Sequence, residues 1–175
     1  MAYEFTTPPH ASGIRIAQAV GIAGSAFVSG SILSLSWMAI PAILKSSPLS
    51  PSRDAAIQWA ALYDRGHKIN PSLALIASSA YFFLSWNLRR NDRLLKLYAA
   101  AGVLTIGIIP WTLGTMLDTN NKLHAKAELG VEVAEIVGEK DTEAEALIKK
   151  WGVLNALRGV LPLGGAVVGL IALLW

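Results

Sequence analysis

Hydrophobic residues along this chain fall into four long runs separated by polar segments. Ile14 to Ile40 carries one charge, Arg15 at its edge; Pro71 to Leu88 and Leu97 to Leu117 carry none; Val153 to Trp175 carries only Arg158. Each run is long enough to cross roughly 30 Å of hydrocarbon at 1.5 Å of helix rise per residue. The pattern therefore predicts an all-α, integral membrane four-helix bundle. It forms a single membrane domain over 1–175, with spans near 14–40, 71–88, 97–117 and 153–175.

The polar segments have their own periodicity. Residues 1–13 read as a short irregular leader. Pro41 and the Pro/Ser-rich run Ser46–Ser52 end the first span. Arg53–Arg65 then reads as a short amphipathic helix lying at the membrane interface, with Gly66 as its C-cap. Its face holds Ala56, Trp59, Ala60, Tyr63 and His67, and Asn70-Pro71 opens the second span. Asp118–Lys150 carries eight acidic residues and five lysines. That charge run reads as the solvated face of an extramembrane helical hairpin broken at Gly138, with Thr142 and Glu145 as a capping box. In the first span Gln18, Gly21, Ser25, Ser29 and Ser36 share a stripe, the spacing of a close helix-packing seam in lipid. Tyr98, Thr105, Thr112, Met116 and Thr119 form a stripe in the third, with Pro110 as its kink.

Composition narrows the classes. Charged residues make up 15% of the chain and hydrophobic ones 53%, against roughly 25% charged in soluble domains. The first run is too long for the apolar core of a signal peptide, and its leader carries Glu4. There is no cysteine, so disulfides, thiolate metal sites and dithiol redox chemistry drop out. A net charge of +3, without a basic stripe interleaved with aromatics, sets nucleic-acid binding aside.

Three residues interrupt the last apolar run. Trp151, Asn155 and Arg158, with Pro162 behind them, fall within about 60° of one another on a helix. Polar and ionisable residues in a membrane span are costly, and by default they mark a functional site. If four segments cross, the 41–70 and 118–152 connections share one side. That end then gathers Tyr63, Asp64, His67, Asn120, Asn121, His124, Trp151, Asn155 and Arg158. Each also has an ordinary explanation. Arg158 can snorkel to headgroups, Trp151 can belong to an aromatic belt, the Asn pair can cap a helix, and His67 can be an interfacial residue. His67, His124 and Asp64 or Asp118 could make a two-His-one-carboxylate metal site, but no His-x-x-x-His or Glu-x-x-His pair supports one.

The segments WAALYDRGHKINP (59–71), PWTLGTMLDTNNKL (110–123) and WGVLNALRGVLPLGG (151–165) resemble the fungal anthrone oxygenases, a branch of a wider group of small four-span membrane proteins. The resemblance covers the chain from about residue 15 to its end. It implies oxidation of a reduced tricyclic polyketide, an anthrone, to the anthraquinone by O2. Base-assisted chemistry of that kind needs no cofactor, although iron or copper stays open. It requires a base, donors for the anionic oxygen and an apolar slot. On this reading His67, oriented by Asp64 or Tyr63, is the base, and Asn155 and Arg158 stabilise the anion. Asn121, Trp151, Trp111, Trp59 and Thr112 contact the flat substrate, and no metal ligands are assigned.

The partners expected are O2, a hydrophobic aromatic polyketide and membrane lipid, with a homo-oligomer possible. The expected compartment is the endoplasmic reticulum or a related endomembrane. The basic turn Arg89–Lys96 favours cytosolic termini. A non-catalytic membrane scaffold or a small-molecule or lipid-binding protein is the alternative that the same features allow.

Overall fold

The structure is a computed structural model and describes residues 9–45, 51–132 and 142–175. Among these residues every regular element is helical. Helix α1 (Pro9–Ser34) continues through a π-helical turn (Leu35–Ala39) into α2 (Ile40–Lys45). Helix α3 runs from Pro51 to Asn87. Helix α4 (Asp92–Ile106), the short α5 (Ile108–Trp111), a second π-helical turn (Thr112–Met116) and α6 (Leu117–Glu132) follow one another along the third arm. Helix α7 spans Thr142–Leu173.

The four arms run up, down, up and down. Helix α1 packs on α3 and α7, α4 packs on the same two, and α6 lies against α3 and α7. The end of α2, the start of α3, the end of α6 and the start of α7 thus lie at one end of the bundle and the 87–92 turn at the other. That turn is closed by Asn91, whose side chain accepts from the backbone N–H of Arg93 and Leu94 as the N-cap of α4.

Among the described residues three stretches are long and apolar enough to cross a membrane: Ser12–Lys45, Asp92–Glu128 and Thr142–Leu173. The fourth expected crossing falls in the second half of α3, where Ser72, Ser78, Ser79, Ser85 and Asn87 dilute the apolar residues.

The separate interfacial helix is corrected. Arg53–Arg65 is the first part of α3, which passes without interruption through Gly66 and Pro71. Gly66 is therefore a helix-interior residue rather than a C-cap, and Asn70-Pro71 starts nothing. Packing explains the override of local propensity. Ala55, Ala56 and Trp59 are buried against α6 and α7, and Asn70 and Ala74 continue the same inward stripe. Pro71 removes only the donor to the His67 carbonyl. A Cβ on Gly66 would meet nothing closer than 3.7 Å. Gly66→Ala should therefore stabilise the protein by about 0.5–1 kcal/mol through helix propensity, read as a higher unfolding temperature in detergent. A C-capping glycine would give a loss instead.

The expected break at Gly138 lies outside the described residues. Helix α7 does run from Thr142 straight into the last apolar run, where Glu145 pairs with Lys149. The small-residue stripe of α1 is a packing seam. Ser29 donates to the Gly159 carbonyl at 2.8 Å, Ser25 and the Tyr81 hydroxyl lie 3.0 Å apart, and Gln18 donates to the Tyr98 hydroxyl at 2.9 Å. Close approach of α1 and α7 at this seam decides what the inner face of α7 can reach.

Candidate active site

At 3.6 residues per turn, Ala144, Ile148, Trp151, Asn155 and Arg158 follow one inward stripe of α7, and all five are buried. Both N–H donors of Asn155 are used. Its amide nitrogen donates to the Ile32 carbonyl and to the Ser36 hydroxyl, both at 2.9 Å, and its oxygen accepts from Arg158 at 2.6 Å. Arg158 also donates to the Thr112 hydroxyl at 3.0 Å. Ser36 lies in the first π-helical turn and Thr112 opens the second. Both irregular turns thus meet the same Asn–Arg pair, and such turns recur at functional sites.

Arg158 is 6% exposed. Its bonded partners are neutral oxygens, and its Nε–H has no partner. The guanidinium turns into the bundle, towards Asn155 and Thr112. A buried cation without a counter-ion is costly. Here it is held in one orientation by Asn155 and Thr112, with donor capacity left over.

One to two turns nearer the open end of the bundle lies an aromatic nest. The i, i+4 spacing of Trp59, Tyr63 and His67 lines them up along α3. Trp59 stacks on Tyr63 at 5.1 Å and 26°, and Tyr63 stacks on His67 at 5.2 Å and 13°. His124 of α6 meets Trp59 edge-on at 5.1 Å and Tyr63 at 5.0 Å. Trp151 meets Trp59 edge-on at 5.8 Å. Pairs of this kind contribute about 0.5–1.5 kcal/mol each beyond area burial. The buried Asn120 ties three helices together: Trp151 donates to its oxygen at 3.0 Å, and its nitrogen donates to the Tyr63 hydroxyl at 3.3 Å.

Among the described residues four buried polar side-chain atoms have no partner: Trp59 Nε1, Asn70 Oδ1, Thr119 Oγ1 and Arg158 Nε. Each such group costs about 1–3 kcal/mol. They belong to α3, α6 and α7.

The structure brings together Trp59, Tyr63, His67 and Trp151 in the nest, and Asn155, Arg158 and Thr112 in the layer beside it. Trp111 is half-buried, its indole donating to the Leu154 carbonyl at 3.3 Å. Asp64 and Asn121 are exposed and join neither group. His67 is exposed too, with Nδ1 3.0 Å from the Tyr63 carbonyl; it opens to solvent on the outer side of Tyr63. Asp64 therefore does not orient His67 within a closed site. Among the described residues no three His, Asp or Glu side chains converge as metal ligands would.

Asn120 and His124 were expected at this end of the bundle but were given no part in the reaction, and Ser36, Thr119 and Asn70 were not expected at the site at all. For Asn120 the signal was available. Met116, Leu123 and Ala127 set an apolar stripe of α6 that passes through 120 and leaves 121 outside. His124 follows one turn later.

A sequence profile of the anthrone oxygenase family matches residues 59–168. The chain is 34% identical over 158 residues to an anthrone oxygenase of Paecilomyces divaricatus, covering 87% of this chain and 92% of that one. It is 33% identical to an anthrone oxygenase of Aspergillus fumigatus, covering 89% and 91%. A noranthrone monooxygenase of Aspergillus flavus is 28% identical, covering 87% and 70%. No solved structure matches.

Proposed function

The chain belongs to the anthrone oxygenase family, and from that premise we propose that it oxidises a polyketide-derived anthrone of the emodin type to the anthraquinone with O2. It is an O2-dependent oxidoreductase, as its relatives' names indicate, and the scaffold alternative falls with that. The observation that carries the site assignment is Arg158: a cation 94% buried by its 6% exposure, bonded only to neutral oxygens and with Nε–H free. An anthrone that loses a methylene proton becomes an enolate, and its oxygen is the counter-ion Arg158 lacks. Asn155 has no N–H to spare for substrate; its role is to hold the guanidinium. Thr112 holds the other side.

The reaction balances without a cofactor. A base takes one methylene proton, and the carbanion passes electrons to O2 and forms a C–O bond, giving a peroxide anion. Protonation yields the hydroperoxide. Loss of the second C–H proton then forms the carbonyl as the O–O bond breaks, and water leaves. We assign the base to His124, half-buried between Trp59 and Tyr63, in preference to the exposed His67. Trp59, Trp111 and Trp151 supply flat apolar surface for the rings, and this surface excludes water from the anion.

The bundle crosses the membrane four times on this reading, the second half of α3 being the extra crossing. Its residues 71–88 carry no charge, and Leu75, Ile76, Phe82, Phe83 and Trp86 are exposed, as a lipid-facing surface requires. From Arg158 to Leu173 is about 23 Å of helix, which sets the guanidinium near one hydrocarbon boundary. Endomembrane residence with cytosolic termini belongs to the same proposal.

The test is purified protein in detergent with an emodin-type anthrone under air. O2 uptake and quinone absorbance should rise together, equally with and without a chelator. His124→Ala should lower the rate by about 100-fold, and His67→Ala by less than about threefold. Equal losses, or a loss confined to His67→Ala, would reject the base assignment. Abolition by chelator would reject the cofactor-free mechanism.

A further inference from the structure

Hydrogen-bond direction at Asn120 fixes where the Tyr63 proton goes. An indole N–H can only donate, so the atom of Asn120 facing Trp151 at 3.0 Å is its oxygen. The amide nitrogen, which also can only donate, is then the atom 3.3 Å from the Tyr63 hydroxyl. Flipping the amide would set two donors against each other at Trp151. Tyr63 therefore accepts through its oxygen and must send its own proton elsewhere. Among the described residues no acceptor takes it. Trp151, bonded to the same Asn120, shares its inward stripe of α7 with Arg158 two turns further on. Asn120 is 1% exposed and Trp151 3%, so solvent does not scramble the order of this relay.

We propose that Tyr63 is the proton donor to the peroxide, and that Asn120 and Trp151 are positioning residues that keep its proton pointed at the substrate. The proposal rests on the anthrone-oxygenation reading. After O2 adds to the carbanion, the distal oxygen carries the negative charge. The Tyr63 proton moves to it, and the resulting tyrosinate is stabilised by the Asn120 N–H and by Arg158. The proton taken from the methylene by His124 then restores the phenol. A tyrosine lacking that directed N–H would spend part of its time turned away, as donor to Asn120.

The distinguishing quantity is the O2 consumed per quinone formed, which a merely structural residue does not change. In the wild-type protein it should be one. Tyr63→Phe keeps the stacking on Trp59 and His67 but removes the proton. Quinone formation should fall by about 100-fold, with O2 uptake exceeding quinone as the unprotonated peroxide cleaves its C–O bond to superoxide and a one-electron-oxidised anthrone radical, which couples to a dimer instead of becoming quinone. Asn120→Leu keeps the phenol and loses its direction. It should lower kcat by about tenfold, leave KM within about twofold, and raise the O2-to-quinone ratio in the same sense. A ratio of one with wild-type rate in Tyr63→Phe overturns the donor role. A ratio of one in folded Asn120→Leu overturns the positioning role, and Tyr63→Phe decides the donor role even if that variant does not fold. Absence of quinone from the wild-type protein is a different result, and counts against the functional reading itself.

Discussion

Replacing Arg158 with Met should lower the turnover number for anthrone oxidation by roughly 100- to 1,000-fold, the usual cost of removing one preorganised donor to a developing oxyanion. The loss falls on kcat, because the enolate exists only after proton removal. Stability should respond differently. Removing a buried, unpaired cation favours the folded state, whereas the Asn155 oxygen loses its donor, at about 1–3 kcal/mol. The two roughly cancel, so the unfolding temperature in detergent should stay within a few degrees of wild type. A cation kept for architecture would show the reverse pattern, with a lower unfolding temperature and little change in kcat for the folded fraction. Arg158→Lys keeps the charge but not the planar fork that bonds Thr112 and Asn155 together. It should recover part of the rate.

Two neighbouring glycines should give opposite results when replaced by Ala. A Cβ on Gly165 would run into the Thr105 hydroxyl and come within 2.9 Å of the Ala101 carbonyl oxygen. Neither can yield: Thr105 is pinned to that same carbonyl at 2.8 Å, and Ala101 O is backbone of α4. Overpacking of this kind costs about 3 kcal/mol, against about 1 kcal/mol gained in helix propensity. Gly165→Ala should therefore lose about 2 kcal/mol. A Cβ on Gly164 meets only Leu104 Cδ1 at 3.5 Å, an ordinary contact. Gly164→Ala should gain up to about 1 kcal/mol. Thermal unfolding of the two variants in the same detergent checks the sign. Parallel shifts would mean that α4 and α7 do not approach as closely as the structure has them. Because α7 also carries Asn155 and Arg158, Gly165→Ala should lower activity as well, through displacement of that stripe.

Much of the site end could be read from residue spacing. Trp151, Asn155 and Arg158 share a face by helical period alone, and antiparallel arms bring the 59–67 and 118–124 segments to the same end. Spacing also separates Asn120 from Asn121, since the apolar stripe of Met116, Leu123 and Ala127 runs through the first. Ranking His67 over His124 was not open to periodicity. Both flank Tyr63, and exposure decides between them, which depends on what α6 covers.

The sequence by itself determined the helical class, the apolar runs, the inward stripe of α7 and, through three quotable segments, the family. Those are properties of period and local composition, which survive without knowing which helix neighbours which. Tertiary structure decided that α3 runs unbroken through Gly66 and Pro71, because burial of Trp59 against α6 and α7 outweighs two weak local stop signals. It also decided that both Asn155 N–H groups are used while the Arg158 Nε–H is not, and that among the described residues no acceptor takes the Tyr63 proton. Hydrogen-bond satisfaction is a sum over partners from several helices, among them Ile32, Ser36, Thr112 and Asn120, and no single helix contains that sum.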